Sequence, residues 1–583
     1  MKKIIYTIIA AFGIFGATSC ADMLETESSH FVQNPELDNK TDSIFSAFGI
    51  MQAMQQLADQ YFFQNEMRGE LVSTTSDATT HLRNLSNFDA GTENKYDSVY
   101  LYYKVINNCN YYLQHRDTTL LKGTENVTIN EFVNIAAFRA WTYLQLTSQY
   151  GDVPYITEPV TSVSQINANT ASTNYKSILA SQAEYMQALK NRYPIEKLDA
   201  PVYSGYNSAI QVGHPNWNNS QKNVMTRKCF VPFNVVLGDL YLEIGEYEKA
   251  ATCYFDYLNH ESQEHGVEAL DINWSNYRQP RSSSIPFEFP LDYNVSANND
   301  LTNGMSMWDI LFSTNGFAQN EVVSYIPMAV NYTAGQTTEV PKAFGYDYYA
   351  TSGRAVSRYH LTNCPEIKEV QITPSEVYTD MAYKNPYYYY TINKDPQSKT
   401  TRYLLDAVNV GDGRANMIVN GEGEDSLIVY TQKACTANFI LYRTTTVFMH
   451  LAEALNRLNE PELAFAVLKS GIHDGIKQYV DTAYVETNFI PQENYYIPKP
   501  AYDRLKEGPF PFLSEANKVN FTNSGSKEIV GIHFHGAGAV EDIRSPYTYK
   551  SIVEERINKI RKQFNVNLDK QTYDDEEYVN AVE

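Results

Sequence analysis

Within residues 230–258 the apolar side chains fall into two short stripes of helical period, and this pair limits the possible folds more than any other feature of the chain. Phe233, Val236, Leu237, Leu240, Tyr241 and Ile244 are spaced i, i+3, i+4, i+7, i+8 and i+11, one face of a helix. Gly245-Glu246 interrupts that stripe, and Tyr247, Ala250, Ala251, Tyr254 and Leu258 mark a second. Two helices this short, joined by so tight a turn, cannot bury their apolar faces on their own. They require stacked neighbours of the same kind, so a helical stack is expected.

The residue types support this. Leu237-Gly238, Tyr241, Gly245, Tyr247, Ala250 and Tyr254 are similar in kind and offset to the tetratricopeptide (TPR) pattern, whose small residues let paired helices approach closely. A second unit is read from Leu441, Phe448, Leu451, Ala452 and Leu455 on one helix that stops near Asn459. Pro461 then suits the first turn of the next helix, where Leu463, Ala464, Val467 and Leu468 face inward. Another helix is expected over 131–150, with Phe132, Ile135, Ala136, Ala140, Tyr143 and Leu144 on one side. Gly151 is its stop, and Pro154 prevents continuation. Helices over 43–58, 97–114 and 174–190 bring the total to about four helix pairs. The expected fold class is mainly α, TPR-like helical repeats, with long irregular insertions that carry the ligand loops.

The amino terminus speaks to location. Lys2 and Lys3 precede an apolar run over 4–16, and Ala17-Thr18-Ser19-Cys20 follows. That is the layout of a secretory signal peptide, too short to span a bilayer as a mature helix. A small residue before a cysteine at that point resembles the lipobox of bacterial lipoproteins, although Ala17 stands where leucine is commonest. Residues 1–19 are therefore read as signal peptide, Cys20 as the lipidated residue, and 20–40 as an acidic tether. More than one acyl chain is what stable anchoring requires. The formal net charge of −22 argues against nucleic acid and anionic lipid as partners. Cys109, Cys229, Cys253, Cys364 and Cys435 are scattered without any C-x-x-C pair, so buried free thiols are expected rather than a disulfide framework.

Residues 261–435 form the longest insertion, rich in Tyr, Asn, Pro and Gly and without sustained period. Loops of that length are functional or form a subdomain. The chain's 46 tyrosines matter here, because tyrosine combines a flat apolar face with a polar tip. Enzyme signatures are missing: there is no G-x-S-x-G, H-E-x-x-H or phosphate loop. Gly421-Glu422-Gly423-Glu424-Asp425 reads as an acidic turn. His533-Phe534-His535 reads as a strand end rather than a metal pair, and Asn298-Asn299-Asp300 lacks the spacing of a calcium loop. Neither a metal nor a cofactor is expected.

Four stretches together resemble the SusD/RagB family of outer-membrane nutrient-uptake lipoproteins. They are the lipidated start with its acidic followers; Tyr102-Tyr103-Lys104-Val105-Ile106-Asn107-Asn108-Cys109-Asn110; Phe138-Arg139-Ala140-Trp141-Thr142-Tyr143-Leu144-Gln145, running on to Tyr150-Gly151-Asp152-Val153-Pro154; and Leu441-Tyr442-Arg443 with Leu451-Ala452-Glu453-Ala454-Leu455-Asn456-Arg457. The resemblance implies an N-terminal helical region over 41–260, the insertion, a C-terminal TPR-like pair over 436–475, and a closing region over 476–583. That closing region stops within the start of the family's last helix, so the family's final segment is read as missing.

The resemblance also implies function. The chain is expected to bind a nutrient oligomer, an oligosaccharide or a peptide, without turnover, and to pass it to a SusC-like TonB-dependent barrel transporter. Ligand positions implied by the family are Asp77, Arg83 and Tyr96 in the first region, with Trp274, Tyr277, Tyr293 and Trp308 in the insertion. The competing readings are a TPR-type protein-binding scaffold and a surface glycosidase. The second would need two carboxylates at fixed separation, which composition alone does not single out.

Overall fold

A computed structural model of the chain describes residues 40–162, 164–165, 171–201, 226–265, 322–328, 336–345, 369–384, 387–394, 401–408, 418–422, 427–431, 434, 439–472, 476, 497, 499–521, 549–566 and 573–582. Cys20, Trp274, Tyr277, Tyr293, Trp308, Cys364, Cys435 and the His533–His535 pair lie outside the described residues.

Helices dominate. In chain order they include α1 (Lys40–Glu66), α2 (Thr80–Ser86), α3 (Val99–His115), α4 (Ile129–Tyr150), α5 (Tyr175–Arg192), α6 (Phe233–Glu243) and α7 (Tyr247–His265). After the insertion come α10 (Thr444–Arg457), α11 (Pro461–Ser470), α12 (Lys499–Glu507), α13 (Tyr549–Phe564) and α14 (Asp575–Val582). Two short helices lie within the insertion, α8 (Val340–Ala343) and α9 (Glu376–Lys384). Each long helix packs on the next: α1 on α3, α3 on α4, α4 on α5, α5 on α6, α6 on α7, α7 on α10, α10 on α11 and α11 on α14. The expected pairs are thus α1/α3, α4/α5, α6/α7 and α10/α11, stacked in sequence around one continuous apolar core.

Local chemistry explains the element ends. α4 stops where Gly151 takes φ +68°, a conformation that costs a β-carbon dearly, and its N–H bonds Thr147 O at 2.8 Å. Gly245, φ +85°, makes the turn between α6 and α7. Pro461 opens α11, where its missing N–H has no helical partner to lose. At the crossing of α6 and α7, a β-carbon on Gly238 would lie 2.6 Å from the ring of Tyr254, so only glycine permits that approach. Trp141 is buried in α4 and packs against Tyr61 of α1, with ring centroids 5.2 Å apart. Cys109, Cys229 and Cys253 are buried thiols outside any disulfide, as expected; burial pushes the pKa of the first two up to about 12.

Two expectations are corrected. Leu441 does not belong to the helix that follows it; it lies in a strand, Phe439–Arg443, paired antiparallel with Val322–Ile326 and carrying a bulge. Five apolar-rich residues fit a buried strand as well as a helix, and the partner strand decides. The insertion is also not irregular throughout. Tyr387–Lys394 pairs with Thr401–Val408, and Ile418–Glu422 with Leu427–Thr431, so Gly421 and Glu422 of the acidic run lie in a strand and the rest of the run lies outside the described residues. Runs such as Tyr-Tyr-Tyr-Tyr-Thr-Ile favour extended backbone.

The insertion leaves after α7 and returns at α10, two helices that pack on each other. One buried carboxylate fixes that joint. Asp239 of α6, 5% exposed, accepts from Tyr254 Oη of α7 (2.7 Å), Tyr442 Oη on the returning strand (2.6 Å) and His450 Nδ1 of α10 (2.7 Å). Burial pulls the His450 pKa down, but Asp239, with Glu453 and Glu243 behind it, pushes it up by more, so the net shift is upward.

Gly238→Ala is expected to force the Tyr254 ring away and to destabilise by about 1–3 kcal/mol, the usual cost of overpacking, read as a lowered melting temperature by circular dichroism. A group with a raised folded pKa stabilises fully below its unfolded value and loses that contribution as pH rises through the folded one. Melting temperature is therefore expected to fall as pH climbs above about 6.5, the ordinary histidine value. His450→Gln should flatten that slope; an unchanged slope would exclude His450 as its source.

Candidate functional site

Apart from its return at α10, the insertion has a second anchor, on the first helical pair. Strand Val72–Thr74, just after α1, pairs antiparallel with Ile372–Pro374, with Val72 opposite Pro374 and Thr74 opposite Ile372. Thr75 extends the contact: its N–H donates to Gln371 O at 3.0 Å and its hydroxyl to Val370 O. Gln371 answers with its side chain, whose Oε1 accepts from Thr79 N at 3.1 Å. Thr79 also caps α2, accepting from Leu82 N through its hydroxyl. A second strap lies nearby. Thr338 Oγ1 and Glu339 N both donate to the Asp59 carboxylate of α1, at 2.5 and 3.0 Å. Burial raises the Asp59 pKa against the lowering effect of those bonds.

Two of the three first-region residues meet on this base. Ser76 Oγ donates to Asp77 Oδ1 at 3.3 Å, and Arg83 Nη1 donates to Ser76 O at 3.3 Å, so carboxylate and guanidinium flank one turn. Both side chains are exposed, with hydrogen-bonding capacity left over. Phe88 stands beyond the end of α2, 72% exposed and held at φ +56° by N–H bonds from Phe88 to Leu85 O and from Asp89 to Asn84 O. An exposed aromatic in left-handed backbone costs stability and gains no burial in return. Sequence reading missed it, because a lone phenylalanine among polar residues carries no periodic signal. Asp77 and Arg83 offer a carboxylate and a planar cation, and Phe88, at the other end of α2, an exposed apolar ring, groups of the kind that recognise a sugar ring and its hydroxyls.

Tyr96 sits elsewhere. It is 6% exposed, with its ring 4.5 Å from that of Phe63, and its hydroxyl donates to Glu339 Oε2 at 2.5 Å, where Lys95 Nζ also lies at 2.5 Å. Its ring serves the core and its hydroxyl braces the insertion, so it offers no face to a ligand. The tip of an amphipathic ring reads the same in sequence whether it meets ligand or protein.

The family-like motifs in α3 and α4 also turn inward. Arg139 donates to Asn110 Oδ1 at 3.2 Å and lies over the Tyr185 ring. Asn110 Nδ2 in turn donates to Ile156 O, and Tyr143 Oη exchanges bonds with Ile156 N and O at 2.8 Å each. Asn107 bonds both backbone groups of Val160. These residues clasp the segment after Pro154 against the stack. Beside that clasp lies an open, mainly apolar cavity of about 610 Å³, fronted by Tyr103 and by Tyr100, which is 66% exposed.

No family model matches the chain, and no curated protein matches it. Among solved structures the chain is similar to a SusD superfamily protein from Bacteroides thetaiotaomicron (TM-score 0.43, 13% identity, 75% of this chain and 80% of that one). It is similar also to surface glycan-binding protein A from Bacteroides uniformis (TM-score 0.42, 12% identity, 74% and 79%). A third is a SusD superfamily protein from Bacteroides fragilis (TM-score 0.42, 15% identity, 88% and 96%).

Substitution should separate the two groups of residues. Tyr96→Ala is expected to cost about 3 kcal/mol or more, as large-to-small core changes do. Asp77→Ala and Arg83→Ala are expected to stay within about 0.5 kcal/mol, as exposed positions do. Urea unfolding of each variant measures the difference, and a large loss for Arg83→Ala would make it a structural residue.

Proposed function

We propose that this chain is a SusD/RagB-type capture protein, anchored to the outer membrane through Cys20 and facing the exterior. It holds an oligosaccharide for a SusC-like TonB-dependent transporter and performs no chemistry on it. The lipobox-like start and the four family-like stretches support the location and the partner. The observation that carries the ligand reading is the antiparallel pairing of Val72–Thr74 with Ile372–Pro374. That pairing brings the base of the insertion beside the turn that bears Asp77, to which Arg83 of α2 is hydrogen-bonded through Ser76 O, and so links the first region to the insertion. Among the described residues, no helix is long and apolar enough to cross a membrane, so attachment in this reading is through lipid.

The physics suits capture. A rigid stack holds the base of the insertion, and the base offers exposed groups on a surface that is already paid for by backbone pairing. Phe88 can take the apolar face of a sugar ring. Arg83 donates to ring hydroxyls and Asp77 accepts from them. Each charge-assisted bond contributes about 1.5–3 kcal/mol, and aromatic contact about 0.5–1.5 kcal/mol more. A few such contacts reach the micromolar range, near −8 kcal/mol, which suits a ligand that must be released again.

Calorimetric titration of the lipid-free chain against an oligosaccharide panel, with chromatography of the products, tests this. Binding without product is expected, and the double change Asp77→Ala, Arg83→Ala should weaken it tenfold or more, about 1.4 kcal/mol. Hydrolysed sugar from pure protein would overturn the reading. In cells, labelled palmitate is expected to mark the chain and to be lost in Cys20→Ala.

A further inference from the structure

We infer that the open cavity beside α3 is a binding site for a small amphiphile that carries one carboxylate on an apolar body, a ligand class apart from the oligosaccharide of the loop face. The cavity, of about 610 Å³, is lined by α3 and by residues of the segment over 154–160. Its volume falls in the range of about 300–1,000 Å³ usual for small-molecule sites. Asp77, Arg83 and Phe88 take no part in its lining.

The walls are fixed before any ligand arrives. Tyr103 Oη donates to Pro154 O at 2.6 Å, Asn107 bonds both backbone groups of Val160, and Asn110 Nδ2 donates to Ile156 O at 2.9 Å. With those polar groups engaged by backbone, the wall is mostly carbon, from the Tyr103 ring, Pro154, Ile156 and Val160. A wall ordered beforehand adds little ordering entropy to the binding step.

Three other lining side chains keep capacity for a ligand. Tyr100, Lys104 and Asn108 are spaced i, i+4 and i+8 along α3, so neighbours stand one turn apart, about 5–6 Å from each other. Tyr100 is 66% exposed, and Lys104 and Asn108 are partly exposed, so a ligand can reach all three. Lys104 Nζ donates to Gln56 Oε1 of α1 at 2.6 Å and makes no ion pair among the described residues. An ammonium has three N–H donors, so two remain. Asn108 makes no side-chain hydrogen bond among the described residues, which leaves its amide available one turn further on.

These groups set the ligand's chemistry. Among the described residues that line the cavity, Lys104 is the one charged side chain. A carboxylate supplies the counter-charge that the protein does not, and its two oxygens can accept from Lys104 Nζ and Asn108 Nδ2 together. The remainder of the ligand meets carbon, and the exposed Tyr100 ring offers it a flat face. A sugar ring suits this wall less well. It brings several hydroxyls, more than Lys104 and Asn108 can meet, and those pressed against Tyr103, Ile156 and Val160 would lose water without gaining a partner. The formal charge of −22 opposes a polyanion most, whereas a single carboxylate feels less of that field and meets a cation at the site.

Calorimetric titration of the full lipid-free chain with octanoate, dodecanoate and phenylbutyrate, each beside its primary alcohol, tests this. At least one carboxylate is expected to bind saturably at one site. Its alcohol should bind tenfold or more weakly, about the difference that one charge-assisted hydrogen bond makes. Lys104→Met should bring the acid down to the alcohol's affinity and leave the alcohol unchanged, whereas Lys104→Arg should keep most of the acid's affinity. Tyr100→Ala should weaken acid and alcohol alike, and the double change Asp77→Ala, Arg83→Ala should affect neither. Failure of every acid to bind would overturn the inference, as would equal affinity for acid and alcohol, or unaltered acid affinity in a Lys104→Met chain shown folded by circular dichroism. If that variant does not fold, a crystal soaked with the acid decides: a carboxylate at Lys104 Nζ supports the inference and a carboxylate elsewhere refutes it. Oligosaccharide binding lost in both Tyr100→Ala and Lys104→Met would give the cavity to sugar and sink the inference.

Discussion

The Asp239 carboxylate is the interaction on which the rest of the architecture depends. It sits buried inside the α6/α7 pair, and its two oxygens are met by groups from α7, from the strand that ends the insertion, and from α10. A buried carboxylate without donors is severely unfavourable, so these elements must be present together or not at all. That requirement solves a topological problem. The chain leaves the stack after α7 and must rejoin it beside the same helix, and loop closure over such a length costs entropy with little local order to offset it. Tyr442 and His450 specify the point of return. Gly238 sets the distance, since only a helix without a β-carbon there lets Tyr254 reach Asp239.

A stack held this way divides the labour of the molecule. The side chains that most resemble a known family, Arg139, Asn110 and Tyr143 among them, spend their polar groups on backbone and on one another. They define the scaffold, and in the proposed reading ligand contact falls to positions with hydrogen bonds to spare. In that reading Asp77, Arg83 and Phe88 qualify because each is exposed: Asp77 on the turn just after the strand that pairs with the insertion, Arg83 on α2, and Phe88 beyond its end. Rigid support beneath exposed groups limits the side-chain entropy that binding must overcome.

Much of the scaffold was legible in the sequence, and the reasons are local. Gly245 and Gly151 mark chain reversals that only glycine makes easily, Pro461 marks a helix start, and the apolar stripes of α4, α6 and α7 repeat long enough to exclude other periods. Legibility failed where short segments take their form from distant partners. Leu441 satisfies either period, and the strand over 322–326 decides it. The tyrosines over 387–390 carried no helical period, yet their extended form depends on a partner strand downstream. Tyr96 looked like a ligand ring because nothing in its neighbourhood announces Glu339, some two hundred and forty positions away, as the partner of its hydroxyl. Phe88 was invisible for the opposite reason, since its exposure follows from a backbone angle that the residue type argues against.

Electrostatics adds the last constraint on what such a surface can hold. With a formal charge of −22 the whole chain sets up a field that opposes the approach of anions, at a range of about 8 Å in physiological salt. Arg83 cannot reverse that field alone, and its neighbour Asp77 opposes it locally. In the proposed reading Arg83 therefore serves as a directed donor rather than as a counter-ion, and Asp77 as a directed acceptor. A neutral ligand with hydroxyl groups uses both without meeting the repulsion, whereas a polyanion would meet it at every point of approach. With both signs present on that face, hydrogen-bond geometry, and not net charge, is the basis of selection in the proposed reading.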